Sequence, residues 1–454
     1  MERMDCLKEF GLKLPEILLP KDRNLGSWSV IACDQYTQDE GYWKRAQVAA
    51  GGRPSTLNLI LPEVYLSRPD KADRIARIKQ TMTDYLSGGV FDAPEAEAVY
   101  VERTTAFGRI RHGLVIAVDL EDYEWKPGSR ALIRATEATI PERIPPRKEI
   151  RSGAALESPH IMLLADDPSH SLVEGTGQLA KDLALSRGEA PLYDGDLMLA
   201  SGHITGWAVR DGEGENGAAL SHLREALAAL KAAGTQADGS SFLFAVGDGN
   251  HSLATAKAVW DEYKAKSGLS GTEAENCPVR YALVEIVNIY DSGLTFEPIH
   301  RVVLGDEVNP DGLIASLEKA LGGKHCDVAD SAGLEAAVRA SKASFGFVYI
   351  GRDGRQRFTL LETGITELAV SRLQPALDGY LAGKDGLELD YIHGSDEVFR
   401  LGGEPGAVSI MLPPIAKDSF FATISGRGPL PRKSFSMGEA SEKRFYLECR
   451  KLFG

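Results

Sequence analysis

One segment constrains this chain more than any other: a short apolar run that passes through an acidic, glycine-bearing turn into a helix. Ser241-Phe242-Leu243-Phe244-Ala245-Val246 has the composition of a buried strand. Ala254, Ala256, Ala258 and Trp260 lie among good helix formers. Gly247-Asp248-Gly249-Asn250-His251-Ser252 stands between them. A strand that enters a helix through such a turn leaves backbone N–H groups at the helix start without intrahelical partners. That is an anion site, and phosphate is its usual anion. Asp248 would repel a bare phosphate, so its partner is a metal, a ribose hydroxyl or a substrate hydroxyl. The same residues also make an ordinary turn and helix cap. Lys257, two helical turns on, is expected to face solvent.

The chain is 454 residues long, enough for two or three domains. Its net charge of -14 argues against nonspecific binding to nucleic acid or anionic membranes, which draw on clustered Lys and Arg. The start has no apolar core of signal-peptide length, and no run reaches transmembrane length. Cys6, Cys33, Cys277, Cys326 and Cys449 are scattered and show no metal-ligand spacing, as expected of reduced thiols in a cytoplasmic protein.

Strand and helix patterns alternate, so the chain reads as mixed α/β (α+β). Trp28 to Cys33 reads as a strand. Lys71 to Leu86 has helical spacing through Ile75, Ile78 and Met82. Val99–Arg103 and Arg111–Asp119 read as paired strands. Leu223, Leu227 and Leu230 mark a helix ending near Gly234. Phe345–Ile350 and Arg357–Leu361 flank Arg352-Asp353-Gly354-Arg355, a hairpin signal. The expected division is an N-terminal α/β region (1–130), a phosphate- or nucleotide-binding core (131–304) and a C-terminal α/β region (305–454).

A second constellation gathers Arg134, Arg143, Arg147 and Arg151 in an acidic chain. The last three recur every four residues. Pro145-Pro146 predicts a bent loop that enters a helix near Arg147. Arginine forks bind phosphate bidentately, which makes a phosphate clamp; a solvated face paired with Glu142 and Glu149 is the alternative. Pro298-Ile299-His300-Arg301 puts two cationic donors together at a strand end. His160 and His203 are weaker candidates, and Lys443-Arg444-Phe445 closes a basic C-terminal stretch. The chain carries no Walker loop, nucleophile elbow, dinucleotide fingerprint or zinc-protease pair.

Several strings together resemble domain-of-unknown-function family 1015, over nearly the whole chain. They are Ile31-Ala32-Cys33-Asp34-Gln35-Tyr36, Arg134-Ala135-Thr136-Glu137, Glu142-Arg143-Ile144-Pro145-Pro146-Arg147, Pro159-His160-Ile161, Gly247-Asp248-Gly249-Asn250-His251, Pro298-Ile299-His300-Arg301, Asp390-Tyr391-Ile392-His393-Gly394 and Lys433-Ser434-Phe435-Ser436-Met437-Gly438. The Asp-Gly-Asn-His turn also resembles the Asp-Gly-His-His-Arg box of the ParB and sulfiredoxin-like superfamily, which includes free-serine kinases. Here Asn250 replaces the first histidine and Ser252 the arginine, so the missing cation falls to Arg143, Arg147 and Arg151.

The resemblance implies a ParB/sulfiredoxin-like nucleotide-binding core with elaborated terminal regions. It implies phosphate transfer between ATP or ADP and a small hydroxyl substrate, serine or phosphoserine favoured. In that reading the amides of Gly249, Asn250, His251 and Ser252 take phosphate oxygens, and His251 donates to phosphate. Arg143, Arg147 and Arg151 clamp the phosphate, with His300 and Arg301 as further cationic contacts. Asp248 holds Mg²⁺ or a ribose hydroxyl, and Asp34 or Glu137 accepts the substrate proton. The partners are small molecules, with no nucleic acid and no membrane; a homo-oligomer is left open. The rivals are a nucleotide-binding sensor without turnover and a small-molecule phosphatase.

Overall fold

A computed structural model describes residues 6–453, apart from the side chain of Arg143. The architecture is mixed α/β, as the alternating patterns predict. The chain divides into two compact units. The first takes the residues up to Ala135, then Thr139–Leu294, then those from Glu439 on; the second takes Thr136–Ala138 and Thr295–Gly438.

Among its described residues the first unit is built on an eleven-stranded sheet. Its middle runs Glu95–Thr105, Ile110–Asp119, Tyr281–Asn288, Met162–Ala165, Phe244–Asp248 and Ile133–Ala135, so strands from both sides of residue 131 share it. Phe244–Asp248 pairs antiparallel with Met162–Ala165 and parallel with Ile133–Ala135. Phe244, Ala245 and Val246 are completely buried, which is why this strand reads as a continuous apolar run rather than an alternating one. The helix Asn250–Ser267 follows it, and the helix Ile144–Arg151 packs against that one, joined by a Lys148–Glu262 ion pair.

The expected entry to the second helix needs correcting. Pro141–Arg143 is a 3₁₀ turn, and the α-helix begins at Ile144 and includes both prolines. Pro145 and Pro146 fall in the first turn, where the missing N–H groups have no intrahelical acceptor to lose. Trp28–Cys33 is also not one strand. Leu25–Trp28 is a helical turn, and only Val30–Ile31 is strand, paired with Phe445–Tyr446. The helix Lys71–Ser87 matches its predicted span, and Val99–Arg103 pairs with Arg111–Val115.

The second unit contains a six-stranded antiparallel sheet in the order Lys324–Val328, Gln356–Glu362, Phe345–Ile350, Ala407–Met411, His300–Leu304 and Glu388–Ile392. Phe345–Ile350 and Gln356–Glu362 form the hairpin read from the sequence. No helix among the described residues is long and apolar enough to cross a membrane.

The segment after Glu439 is stitched into the first unit by buried charge. Arg103 donates to the carbonyls of Ser441 at 2.7 Å and Glu442 at 3.0 Å, and Arg111 donates to Glu442 O at 2.7 Å. Arg444 is 1% exposed; it reaches Glu285 at 2.9 Å and also pairs with Glu448, which accepts from Tyr193. Burial pushes the Glu285 carboxyl up, but Arg111, Arg444 and Arg103 outweigh it and hold it below the usual range. A carboxyl depressed in the folded state adds stability above its unfolded pKa and loses it as pH falls through the folded value. Removing one partner strands a buried charge. Glu285→Ala is therefore expected to cost about 3–5 kcal/mol in urea unfolding at neutral pH, with the deficit shrinking as the pH is lowered through the carboxylate range. A loss under about 1 kcal/mol would show that the cluster is not what holds this segment.

Candidate functional site

The turn takes its shape from backbone rather than side-chain choice. Gly249 has φ 80°, in the left-handed region, and caps the 18-residue helix Asn250–Ser267. A Cβ there would also lie 3.0 Å from Ile161 Cγ1 and 3.1 Å from Ile161 Cα. Two independent constraints thus demand glycine. The register against Met162–Ala165 shifts between Val246 and Asp248, so the strand ends in a bulge that re-aims Asp248.

Each side chain of the turn has a defined role. Asp248 Oδ1 accepts from the Gly249 amide at 2.9 Å, and Oδ2 faces Lys443 Nζ at 3.3 Å. Both side chains are mostly buried, so the pair is more strongly coupled than a surface one. Asn250 is buried and its Nδ2 donates to Val246 O at 3.3 Å, fastening the helix start to the strand. His251 Nε2 accepts the Ile140 amide at 3.3 Å. A neutral His251 therefore carries its hydrogen on Nδ1. Ser252 Oγ lies 3.0 Å from His160 Nε2, and His160 Nδ1 lies 2.8 Å from the Tyr446 hydroxyl.

Ser252 and Thr255 open onto a cavity of about 150 Å³. Cys33, Glu63, Arg147, His160 and Tyr446 give it a polar side, and Leu59, Leu61, Met82, Ile150 and Leu156 an apolar one. Burial and then Asp34 push the Cys33 thiol up to about 12, against a hydrogen bond from Tyr446, which keeps it a neutral group on the cavity wall.

Of the predicted arginines, the structure brings Arg147 and Arg151 to this one cavity. Each has a carboxylate partner: Glu63 for Arg147 and Glu157 for Arg151. Glu157 is buried, binds Arg450 at 3.2 Å as well, and accepts the Leu283 amide, which ties Arg151 into the unit's framework. Arg143's side chain lies outside the described residues. Asp34 is half-buried and accepts from Gln35 Nε2 at 3.0 Å; its charge acts on both Cys33 and Tyr446.

Glu137, His300 and Arg301 belong to the second unit. His300 is buried, its Nδ1 accepts the Leu412 amide at 3.0 Å, and burial with Arg301 beside it pushes its pKa down to about 4. Arg301 is fully buried, donates to Gln374 at 2.9 Å, and stacks 4.6 Å from the Tyr391 ring. Burial pushes its pKa down to about 10, with Tyr391 and Glu137 opposing the change. The expectation for Lys257 is corrected: its side chain is only 16% exposed and pairs with Asp261 at 3.0 Å.

Lys443, Tyr446 and Glu63 were not among the predicted site residues. Lys443 sits in the basic C-terminal stretch, yet nothing in its spacing connects it with a turn almost two hundred residues earlier. The donor set bears on Mg²⁺. Among the described residues no three or more His, Cys, Asp or Glu cluster as a metal cage, and Asp248 already faces an ammonium. The site therefore fits Mg²⁺ only as an ion carried largely by nucleotide phosphates, with Asp248 as a single protein ligand.

Comparison with known proteins gives one family. The family described as "Protein of unknown function (DUF1015)" matches residues 15–380. No curated protein matches the sequence. Similar solved structures include a conserved hypothetical protein from Pyrococcus furiosus, at 10% identity over 74% of this chain and 94% of that one, TM-score 0.34. A free serine kinase in complex with AMP is 9% identical over 74% and 92%, TM-score 0.36. SbnI from Staphylococcus aureus, with a C-terminal truncation, is 9% identical over 74% and 87%, TM-score 0.36.

The double constraint on Gly249 makes the turn testable by itself. Gly249→Ala is expected to destabilise the protein by about 2 kcal/mol, from left-handed strain and the approach to Ile161. Urea denaturation measures it, and a change under about 0.5 kcal/mol would mean the turn relaxes to accept a side chain.

Proposed function

This chain belongs to the DUF1015 family of proteins of unknown function, and we propose that it transfers phosphate between a nucleotide and a small hydroxyl substrate, serine or phosphoserine favoured. One observation carries the reading: a left-handed glycine opens a long helix, with a carboxylate–ammonium pair on one side of the turn and a serine–histidine contact on the other. Phosphoryl transfer asks for charge neutralisation and positioning more than for covalent chemistry. The parts at this turn suit that demand.

The Gly249 amide is taken by Asp248 Oδ1 and the Ser252 amide by Gly249 O, against the expectation for these two; phosphate oxygens would take the amides of Asn250 and His251, supported by the helix dipole. Lys443 would neutralise phosphate charge as it shares Asp248. His251 Nδ1–H would donate to phosphate in the ground state. Asp248, held by the Gly249 amide, would orient a ribose hydroxyl or a nucleotide-bound Mg²⁺. Arg147 would join the clamp by exchanging Glu63 for phosphate, and Asp34 would accept the substrate proton. The preference for serine rests on the resemblance of the Asp-Gly-Asn-His turn to the box of free-serine kinases.

The Arg147–Glu63 pair favours a second reading, a nucleotide sensor without turnover, since a cation already neutralised gives little stabilisation to charge that develops in a transition state. Incubation with ATP or ADP, Mg²⁺, serine and phosphoserine, read by mass spectrometry, separates the two. Nucleotide-dependent product supports transfer; binding without product supports the sensor; phosphate released without nucleotide supports a phosphatase. For a transferase, Asp248→Asn should lower turnover by on the order of a hundredfold, with a lowered melting temperature as Lys443 loses its partner but a cooperative fold retained. His251→Ala should chiefly weaken nucleotide affinity. Full turnover in Asp248→Asn would reduce Asp248 to a turn former.

A further inference from the structure

A chain of hydrogen bonds runs from the backbone at Cys33 to the first turn of the Asn250–Ser267 helix, and one end of it can only donate. The Cys33 amide can only donate, and it meets the Tyr446 hydroxyl oxygen at 3.4 Å. Tyr446 Oη is 2.8 Å from His160 Nδ1, and His160 Nε2 is 3.0 Å from Ser252 Oγ. The His160 and Tyr446 rings meet edge-on, 5.3 Å between centroids, which fixes the imidazole's orientation. Tyr446 is 3% exposed, and burial, followed by Cys33, pushes its phenol far above the usual range, so it keeps its hydrogen.

With the amide on its oxygen, Tyr446 sends that hydrogen to His160 Nδ1. A neutral imidazole has one ring hydrogen, so it lies on Nε2 and points at Ser252 Oγ. Ser252 accepts it, and its own hydrogen turns away from His160. The opposite polarity makes His160 a base for Ser252. It requires hydrogen on Nδ1; Tyr446 would then accept from both imidazole and amide and give its own hydrogen to the Cys33 sulfur, a much weaker acceptor than an imidazole nitrogen at 2.8 Å. Ser252 lines the cavity and stands where the box it resembles has an arginine.

We propose that the Cys33 amide, Tyr446 and His160 form a positioning relay that makes Ser252 a fixed hydroxyl donor to an oxyanion, rather than a nucleophile. Resting on the phosphotransfer reading, the oxyanion is a phosphoryl group of the nucleotide or of a phosphorylated substrate. A neutral donor here replaces part of what an arginine supplies: it selects an acceptor-only oxygen without adding charge. Hydrogen bonds in series polarise one another, so the donor strength of Ser252 depends on Tyr446, two bonds away.

Two measurements on the full chain test this. The first is a long-range ¹⁵N–¹H correlation spectrum of histidine-labelled protein, with His160 assigned through His160→Gln. The Nε2–H tautomer is expected in the wild type, and Tyr446→Phe should shift the population toward Nδ1–H. A wild-type Nδ1–H tautomer overturns the relay. The second is calorimetry with inorganic phosphate and with ADP. Ser252→Ala and Tyr446→Phe should each weaken ADP binding by about tenfold, the scale of one hydrogen bond to a charged group, whereas Ser252→Thr, which keeps the hydroxyl, should stay within about threefold. Phosphate alone shows whether the effect belongs to the phosphoryl group. Unchanged ADP affinity in Ser252→Ala overturns the donor role, and phosphoserine at position 252 after incubation with ATP overturns it in favour of a nucleophile. If the wild type binds neither probe, the phosphotransfer reading falls together with the ligand named for Ser252, while the tautomer still decides the relay.

Discussion

The candidate site depends on charge buried several residues away from it. Arg103, Arg111 and Arg444 surround Glu285 in the interior of the first unit, and Arg444 continues to Glu448. The desolvation of so many ions is tolerable because Arg111 and Arg444 pair with carboxylates and because the forks of Arg103 and Arg111 bond backbone carbonyls. Arg103 reaches the carbonyls of Ser441, Glu442 and Lys443. Lys443 immediately precedes Arg444, and Tyr446 follows two residues later. The network that locks the C-terminal segment therefore also delivers the ammonium to Asp248 and the phenol to His160.

The turn itself divides its labour between backbone and side chains. Gly249 permits the left-handed residue and the approach to Ile161, and Asn250 ties the helix start to Val246 O. These contacts make the geometry rigid without using the groups that could meet a ligand. Asp248 beside a helix N-terminus is favourable to the dipole and unfavourable to an incoming phosphate. Lys443 resolves that opposition by leaving the pair close to neutral. The arginines follow the same logic with different outcomes. Arg151 is committed to Glu157, a carboxylate that also serves Arg450 and a backbone amide, whereas the partner of Arg147, Glu63, stands on the cavity wall with it.

Individual elements show what could be read from the chain and why. The Phe345–Leu361 hairpin was legible because its turn residues and flanking strands are local in sequence. The Lys71–Ser87 helix was legible because its apolar stripe at Ile75, Ile78 and Met82 repeats at helical spacing. Trp28–Cys33 misled because an apolar run has no periodicity to separate a helical turn from a strand. Pro145-Pro146 misled because a proline pair breaks a helix interior but is accommodated in its first turn. Lys257 misled because two turns along a helix says nothing about what packs over it.

The sequence by itself determined the parts whose physics is local: a buried strand, a turn that only glycine can make, a helix start able to meet an anion, and an acidic chain with an unusual local gathering of arginines. Tertiary structure alone decided which charges meet. It paired Asp248 with Lys443, Arg147 with Glu63 and Ser252 with His160 and Tyr446, and it assigned Glu137, His300 and Arg301 to the second unit. Backbone conformation answers to a few neighbouring residues, so composition and spacing reveal it. Electrostatic partnership depends on distance and burial, and those are set by how segments hundreds of residues apart come to share one core.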